Sequence, residues 1–184
     1  MVFVKIRQNT DGCIVRLLDP PITEHQILHT HGLESTTEAN SNIAVYARVP
    51  PHNGPAKFPT IIQIYGLDGY RTEFTRKSTD HIKCNWASIA VEIPGTADCP
   101  ALVNDPESPE RLWSSILDWL EQQEWVDRKK IVVWGVSTGG YYALRIAHTH
   151  KDRLAAVICQ GAGCHYMFDS EWLEMSSHLD YPFE

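Results

Sequence analysis

Four short apolar runs, separated by segments of helical period, restrict what this chain can fold into. They are Thr60-Ile61-Ile62-Gln63-Ile64-Tyr65, the stretch Trp86–Ile93, the stretch Ile131–Trp134 and the stretch Leu154–Cys159. A nearly continuous apolar run of this length suits a strand buried on both faces. Between them lie Thr72–Lys83, a helix opening at Ser108-Pro109-Glu110, and Tyr141–His148. Serine at the cap, proline in the first turn and an acid beside it form a helix-start signature. Leu112, Trp113, Ile116, Leu117 and Leu120 then give one buried helical face. Strands alternating with helices imply right-handed crossovers, hence an α/β fold with a mainly parallel sheet and helices on both faces. Gln26–Gly32 and Ile43–Val49 have no helix between them and are candidates for an antiparallel edge; the latter stops at Pro50-Pro51. No internal repeat or low-complexity tract interrupts the pattern.

The 184 residues suffice for one domain with a substantial core. A net charge of −7 provides no basic patch, which argues against nucleic acid as a partner. The opening MVFVKIRQNTDG is too short in its apolar part for a signal peptide, and no run is long enough to cross a bilayer. Cys13, Cys84, Cys99, Cys159 and Cys164 are scattered without a C-x-x-C pair, as expected of reduced cysteines in a cytoplasmic protein. His29/His31 and His148/His150 sit two apart, a spacing that points helical side chains in different directions. Cys164-His165 has no second pair to match it, so neither a metal nor another cofactor is expected.

Chemistry enters where Ile131–Trp134 meets Gly135-Val136-Ser137-Thr138-Gly139-Gly140 and a helix follows at once. In a parallel sheet, reactive groups gather at the carboxyl ends of strands. G-V-S-T-G matches the G-x-S-x-G pattern of a nucleophile elbow. There the turn holds the serine in a strained backbone, and small neighbours let strand and helix approach closely. The Thr138 N–H would then point toward a developing oxyanion, with the helix start adding partial positive charge. A glycine-rich strand-to-helix turn without catalytic duty is the alternative. A nucleotide-binding loop fits poorly, because neither G-x-G-x-x-G nor G-K-[ST] is present.

A second small-residue turn, Gly66-Leu67-Asp68-Gly69-Tyr70, follows the Thr60–Tyr65 run; Arg71 and Glu73 beyond it have the character of solvated helix-start charges. Taken in order, "IIQIYGLDGYRTEF", "VEIPGTADCP", "IVVWGVSTGGYYALRIA" and "RLAAVICQGAG" resemble an α/β-hydrolase, and within that fold the FrsA-like group. The group includes fungal hydrolases that shorten polyketides in pigment and melanin biosynthesis, and bacterial hydrolases that cleave carbon–carbon bonds beside a ketone. The resemblance covers roughly Thr30 to Gly163. It implies Ser137 as nucleophile, backbone oxyanion donors at Leu67 and Thr138, turn glycines at Gly66, Gly135, Gly139 and Gly140, and a small-molecule ester or β-diketone substrate. Homo-oligomerisation is left open.

A serine hydroxyl also needs a histidine and an orienting carboxylate, which in this fold follow it in chain order. Only 47 residues follow Ser137, enough for one helix, one strand and a tail. The expected layout is an N-terminal extension over 1–25, a partial hydrolase core over 26–163 and the start of a cap over 164–184, with the sheet incomplete on its C-terminal side. Asp169 with His165 or His178 could substitute locally for the missing acid and base; the alternative places them in the cap. A sheet ending at Leu154–Cys159 would expose an edge and an apolar face. Three functional readings follow: a polyketide-shortening serine hydrolase, a carboxylesterase, and an inactive remnant or module that binds a protein through its uncovered edge.

Overall fold

The computed structural model describes residues 2–7, 14–17, 42–102, 104–163 and 169–177. In chain order the elements are β1 (Val2–Arg7), β2 (Ile14–Leu17), β3 (Asn42–Arg48), β4 (Phe58–Ile64), α1 (Thr75–Lys83), β5 (Ala87–Val91), α2 (Ser108–Gln122), β6 (Val126–Val136), α3 (Thr138–Thr149), β7 (Ala156–Gln160) and α4 (Ser170–Ser177). The strands form one seven-stranded sheet in the order β2-β1-β3-β5-β4-β6-β7. β4 pairs in parallel with β5 and β6, and β6 with β7. β3 is antiparallel to β5 and β1, and β1 to β2, so the expected antiparallel edge exists and contains the Ile43–Val49 run. Gln26–Gly32 lies outside the described residues.

The chain leaves β4 toward β5 on one side, then returns to place β6 on β4's other side and continues outward to β7. With right-handed crossovers, this reversal puts α1 on one face and α2 and α3 on the other. The carboxyl ends of β4 and β6 therefore flank a topological switch point, where open α/β sheets form their binding crevices.

Packing explains why the central runs are continuous in apolar residues. Every residue of β5 is buried, and Ile62, Ile64, Ile131 and Val133 join one core with Leu112, Trp113, Ile116, Leu117 and Leu120 of α2. The other face carries Trp134, whose ring meets Phe74 and His81 edge-on and lies 4.3 Å from the Lys77 ammonium. Such desolvated side chains supply the main stabilisation, about 1.5–3 kcal/mol for each fully buried large apolar residue.

Three local expectations need correction. The Leu154–Cys159 run reads as a buried strand, yet Ala156, Ile158, Cys159 and Gln160 are exposed, Ile158 to 49%. Among the described strands β7 pairs only with β6, so its apolar composition lacks a second neighbour. Ser108 does not cap α2: it is the first helical residue, and its buried hydroxyl accepts the Leu102 N–H at 2.8 Å. The Asp105 carboxylate instead takes the Glu107 N–H at 2.9 Å. The helix expected from Thr72 begins as a 3-10 turn over Arg71–Phe74 and becomes α-helical at Thr75.

Candidate active site

β6 ends at Val136 and α3 starts at Thr138, leaving Ser137 as the single linking residue. Its backbone stands at φ 55° and ψ −124°, a conformation that costs an L-residue about 1–3 kcal/mol. Hydrogen bonds on both sides hold it there. The Ser137 N–H donates to the Gln160 carbonyl at 2.8 Å, and the Ser137 carbonyl accepts the Gly140 N–H at 2.8 Å. The residue is exposed, so the hydroxyl stands at the rim of the sheet and outside the core.

The neighbouring glycines make this bend sterically feasible. A Cβ on Gly139 would sit 2.3 Å from the Tyr65 carbonyl oxygen and 2.4 Å from that of Ile64, so the first turn of α3 rests on the end of β4 with no side chain between. A Cβ on Gly135 would meet the Gly139 oxygen at 2.0 Å, and one on Gly140 would meet the Ala162 Cβ at 2.9 Å. Gly66 ties the second turn to the first. A Cβ there would lie 3.0 Å from the Ser137 Cβ, 3.3 Å from its Oγ and 3.4 Å from Asp68 Oδ1.

The fold therefore brings Gly66, Gly135, Ser137, Thr138, Gly139 and Gly140 together at the carboxyl ends of β4 and β6, with Leu67 next in the chain. Thr138 is buried at the first position of α3, where a helix has no internal acceptor for its N–H. Leu67 and Tyr70 are exposed, to 61% and 50%. Asp68, which no motif marks, borders the same small space as the serine hydroxyl.

Arg71 behaves differently from the solvated charge its position suggested. Its side chain is only 12% exposed, and its guanidinium bridges Glu92 at 3.2 Å and Asp98, where Nη2 lies 2.9 Å from Oδ2 and Nη1 contacts Oδ1. The Arg71 backbone N–H also donates to Glu92 Oε1 at 3.0 Å, and the guanidinium lies 5.2 Å from the Tyr46 ring centre. Burial pushes the Glu92 carboxyl above its ordinary pKa, opposed by the hydrogen bond and charge of Arg71. Beside Asp98, burial pushes the Cys99 thiol up to about 12, which removes it as a nucleophile near neutral pH. No single-residue signal could have revealed this cluster, because Arg71 and Tyr46 lie more than twenty residues from Glu92 and Asp98 in sequence. Glu73 is exposed and accepts the Tyr70 N–H.

Among the described residues, no side chain hydrogen-bonds the Ser137 hydroxyl. Asp169 accepts the Trp172 N–H at 2.7 Å and so closes the first turn of α4. His165 and His178 lie outside the described residues, as do Cys13, His29, His31 and Cys164. His150 sits beyond the C-terminal end of α3, where its Nε2 shares a 2.9 Å hydrogen bond with Ser114 Oγ. Its Nδ1 is 2.7 Å from Thr149 Oγ1 and 4.0 Å from Glu110 Oε2. Among the described residues no three His, Cys, Asp or Glu side chains are grouped to hold a metal ion, and no helix is long and apolar enough to cross a membrane.

A switch-point crevice with a strained, exposed serine between β6 and α3 places the molecule among the α/β-hydrolases. Solved structures agree: FphF, a fluorophosphonate-binding serine hydrolase of Staphylococcus aureus, superposes with a TM-score of 0.60 at 18% identity, over 76% of this chain and 59% of its own. A 2,6-dihydroxy-pseudo-oxynicotine hydrolase matches with a TM-score of 0.53 at 28% identity, over 61% of this chain and 31% of its own. The chain belongs to the FrsA-like esterase family, whose model, described as Esterase FrsA-like, matches residues 25–177. Esterase FrsA of Serratia proteamaculans is 27% identical over 136 residues, 72% of this chain and 32% of that protein. Esterase FrsA of Yersinia pestis strain Pestoides F is 28% identical over 120 residues, 64% of this chain and 28% of that protein. The chain thus spans less than a third of the length of these curated relatives.

Proposed function

We propose that Ser137 is the nucleophile of a serine hydrolase acting on the carbonyl of an ester or of a polyketide-like β-diketone. One observation carries the reading: an exposed serine at φ 55° in the β4/β6 crevice, with Gly66 packed against its side chain. Strain of this kind is retained where the surrounding structure fixes it, characteristically at functional sites. The Ser137 oxygen adds to the substrate carbonyl as the hydroxyl passes its proton to solvent, to which the exposed residue is open. The Leu67 and Thr138 N–H groups receive the oxyanion. Collapse expels an alkoxide from an ester, or an enolate carbon from a β-diketone, and that group takes up a proton. Water then adds to the acyl-serine, releasing a carboxylic acid and restoring the hydroxyl. A β-diketone suits the second route because the adjacent carbonyl stabilises the departing carbanion. Leu67 and Tyr70 give the rim an apolar character that matches an uncharged acyl chain.

The test is covalent labelling of the full chain by a fluorophosphonate, mapped by mass spectrometry, followed by an acyl-release assay with p-nitrophenyl acetate and an aryl β-diketone. Label at Ser137 and a stoichiometric acyl burst support the reading. A folded chain that takes no label sinks it. The exposed β7 edge, with Ile158 half uncovered, favours a second reading in which a non-catalytic chain binds another protein through that strand. Absence of label together with a discrete complex in solution would select it.

A further inference from the structure

The loop that follows β4 carries the Leu67 amide, and four residues later the same loop is pinned by Arg71. We infer that Arg71, Glu92 and Asp98 form a clamp that positions the Gly66–Tyr70 turn against Ser137, an inference that rests on the reading of Ser137 as nucleophile. Three features distinguish the clamp from an ordinary surface ion pair. The first is that Glu92 holds Arg71 twice, by its backbone N–H at 3.0 Å and by its guanidinium at 3.2 Å. The second is that Asp98 takes both terminal guanidinium nitrogens, a fork that fixes direction as well as distance. The third is burial: the side chains of Arg71 and Glu92 are 12% and 5% exposed, and the guanidinium lies over the Tyr46 ring of β3.

The elements involved explain what the clamp does. Glu92 directly follows β5, Asp98 lies in the loop after it, and Tyr46 belongs to β3, so the turn after β4 is braced from the two neighbouring strands on one side. On its other side Gly66 of the turn lies against the Ser137 side chain. A glycine at each end of Leu67-Asp68 leaves that backbone little rigidity of its own. An oxyanion donor displaced by about 1 Å costs on the order of a hundredfold in rate. Arg71 is accordingly a positioning residue that acts through the Leu67 amide.

The experiment measures fluorophosphonate labelling of the full chain against probe concentration, together with amide hydrogen exchange over residues 64–72. Arg71→Met is expected to lower the maximal labelling rate by about tenfold to a hundredfold, with the half-saturating probe concentration little changed and exchange at 66–70 at least several-fold faster. Arg71→Lys keeps the charge but loses the fork, so it should recover only part of the rate. Asp98→Asn removes one arm at a partly exposed position and supplies a second variant should Arg71→Met fail to fold. Variants that melt earlier yet label at the parental maximal rate, with unchanged exchange over the turn, would overturn the clamp. A parental chain that takes no label would instead overturn the reading of Ser137, and the clamp's catalytic purpose with it.

Discussion

The two ends of α3 hold contrasting sets of polar residues. At the C-terminal end Ser114, His150 and Glu110 stand close to a hydroxyl–imidazole–carboxylate relay, with Thr149 donating to Glu110 at 2.8 Å and Arg145 paired with the same acid. Ser114 sits on a regular stretch of α2, and nothing there aims backbone amides at a reacting oxygen. At the N-terminal end Ser137 has no described partner for its hydroxyl. It has instead a strained backbone, exposure, a helix start and a switch-point crevice. On the proposed reading of Ser137, placement and preorganised main chain would therefore count for more than residue types in contact. The C-terminal set is a structural tie between α2 and α3.

The contrast can be broken most sharply by exchanging which serine is removed. Ser137→Ala should abolish fluorophosphonate labelling altogether, whereas Ser114→Ala should leave its rate unchanged; the reverse result, read by mass spectrometry, would invert the comparison. Next in size is Gly139→Ala, whose Cβ must displace the main chain of β4, at a cost of about 3 kcal/mol or more in denaturant unfolding. Replacing Ala147, half-buried on the same helix, by serine should cost far less. Ser137→Gly relieves the positive φ and should raise stability by about 1 kcal/mol while losing the label.

The smallest effect concerns pH. Burial, opposed by Glu110, holds His150 below the ordinary imidazole pKa, so the unfolded chain takes up this proton first. Stability is then full above the unfolded value of 6.5 and declines as pH falls from there toward the folded-state value. The groups around the ring are Ser114, Thr149, Glu110, Arg153 and Asp118. His150→Gln should flatten part of that slope in chemical denaturation. A remainder should persist, because burial also lowers the pKa of His81, beside Trp134. Labelling at Ser137 should not follow this change.

Much of the central sheet was legible because local and tertiary demands coincide there. β4 and β5 are apolar in sequence and buried in fact, and the bend at Gly135–Gly140 declared itself through residues that suit nothing else so well. Elsewhere the two demands part. Leu154–Cys159 has the composition of a buried strand, but burial is a property of the neighbours a strand acquires, which composition does not encode. Ser108 resembles a cap, yet its hydroxyl is drawn to the Leu102 amide across the loop. Arg71 resembled a solvated charge because both its carboxylate partners arrive from after β5, more than twenty residues away. The bend at Ser137 with Gly135, Gly139 and Gly140 was legible from spacing alone, the Gly66-Leu67 turn from the family resemblance, whereas the contacts of Arg71 required the sheet order.

Direct seating of α3 on the last carbonyls of β4 has a practical meaning for anyone wishing to retarget this scaffold. The floor beneath the serine is main chain on main chain and offers no side chain to exchange. Altered selectivity would have to be sought along the rim, at positions 67, 68 and 70, where variation leaves that foundation untouched.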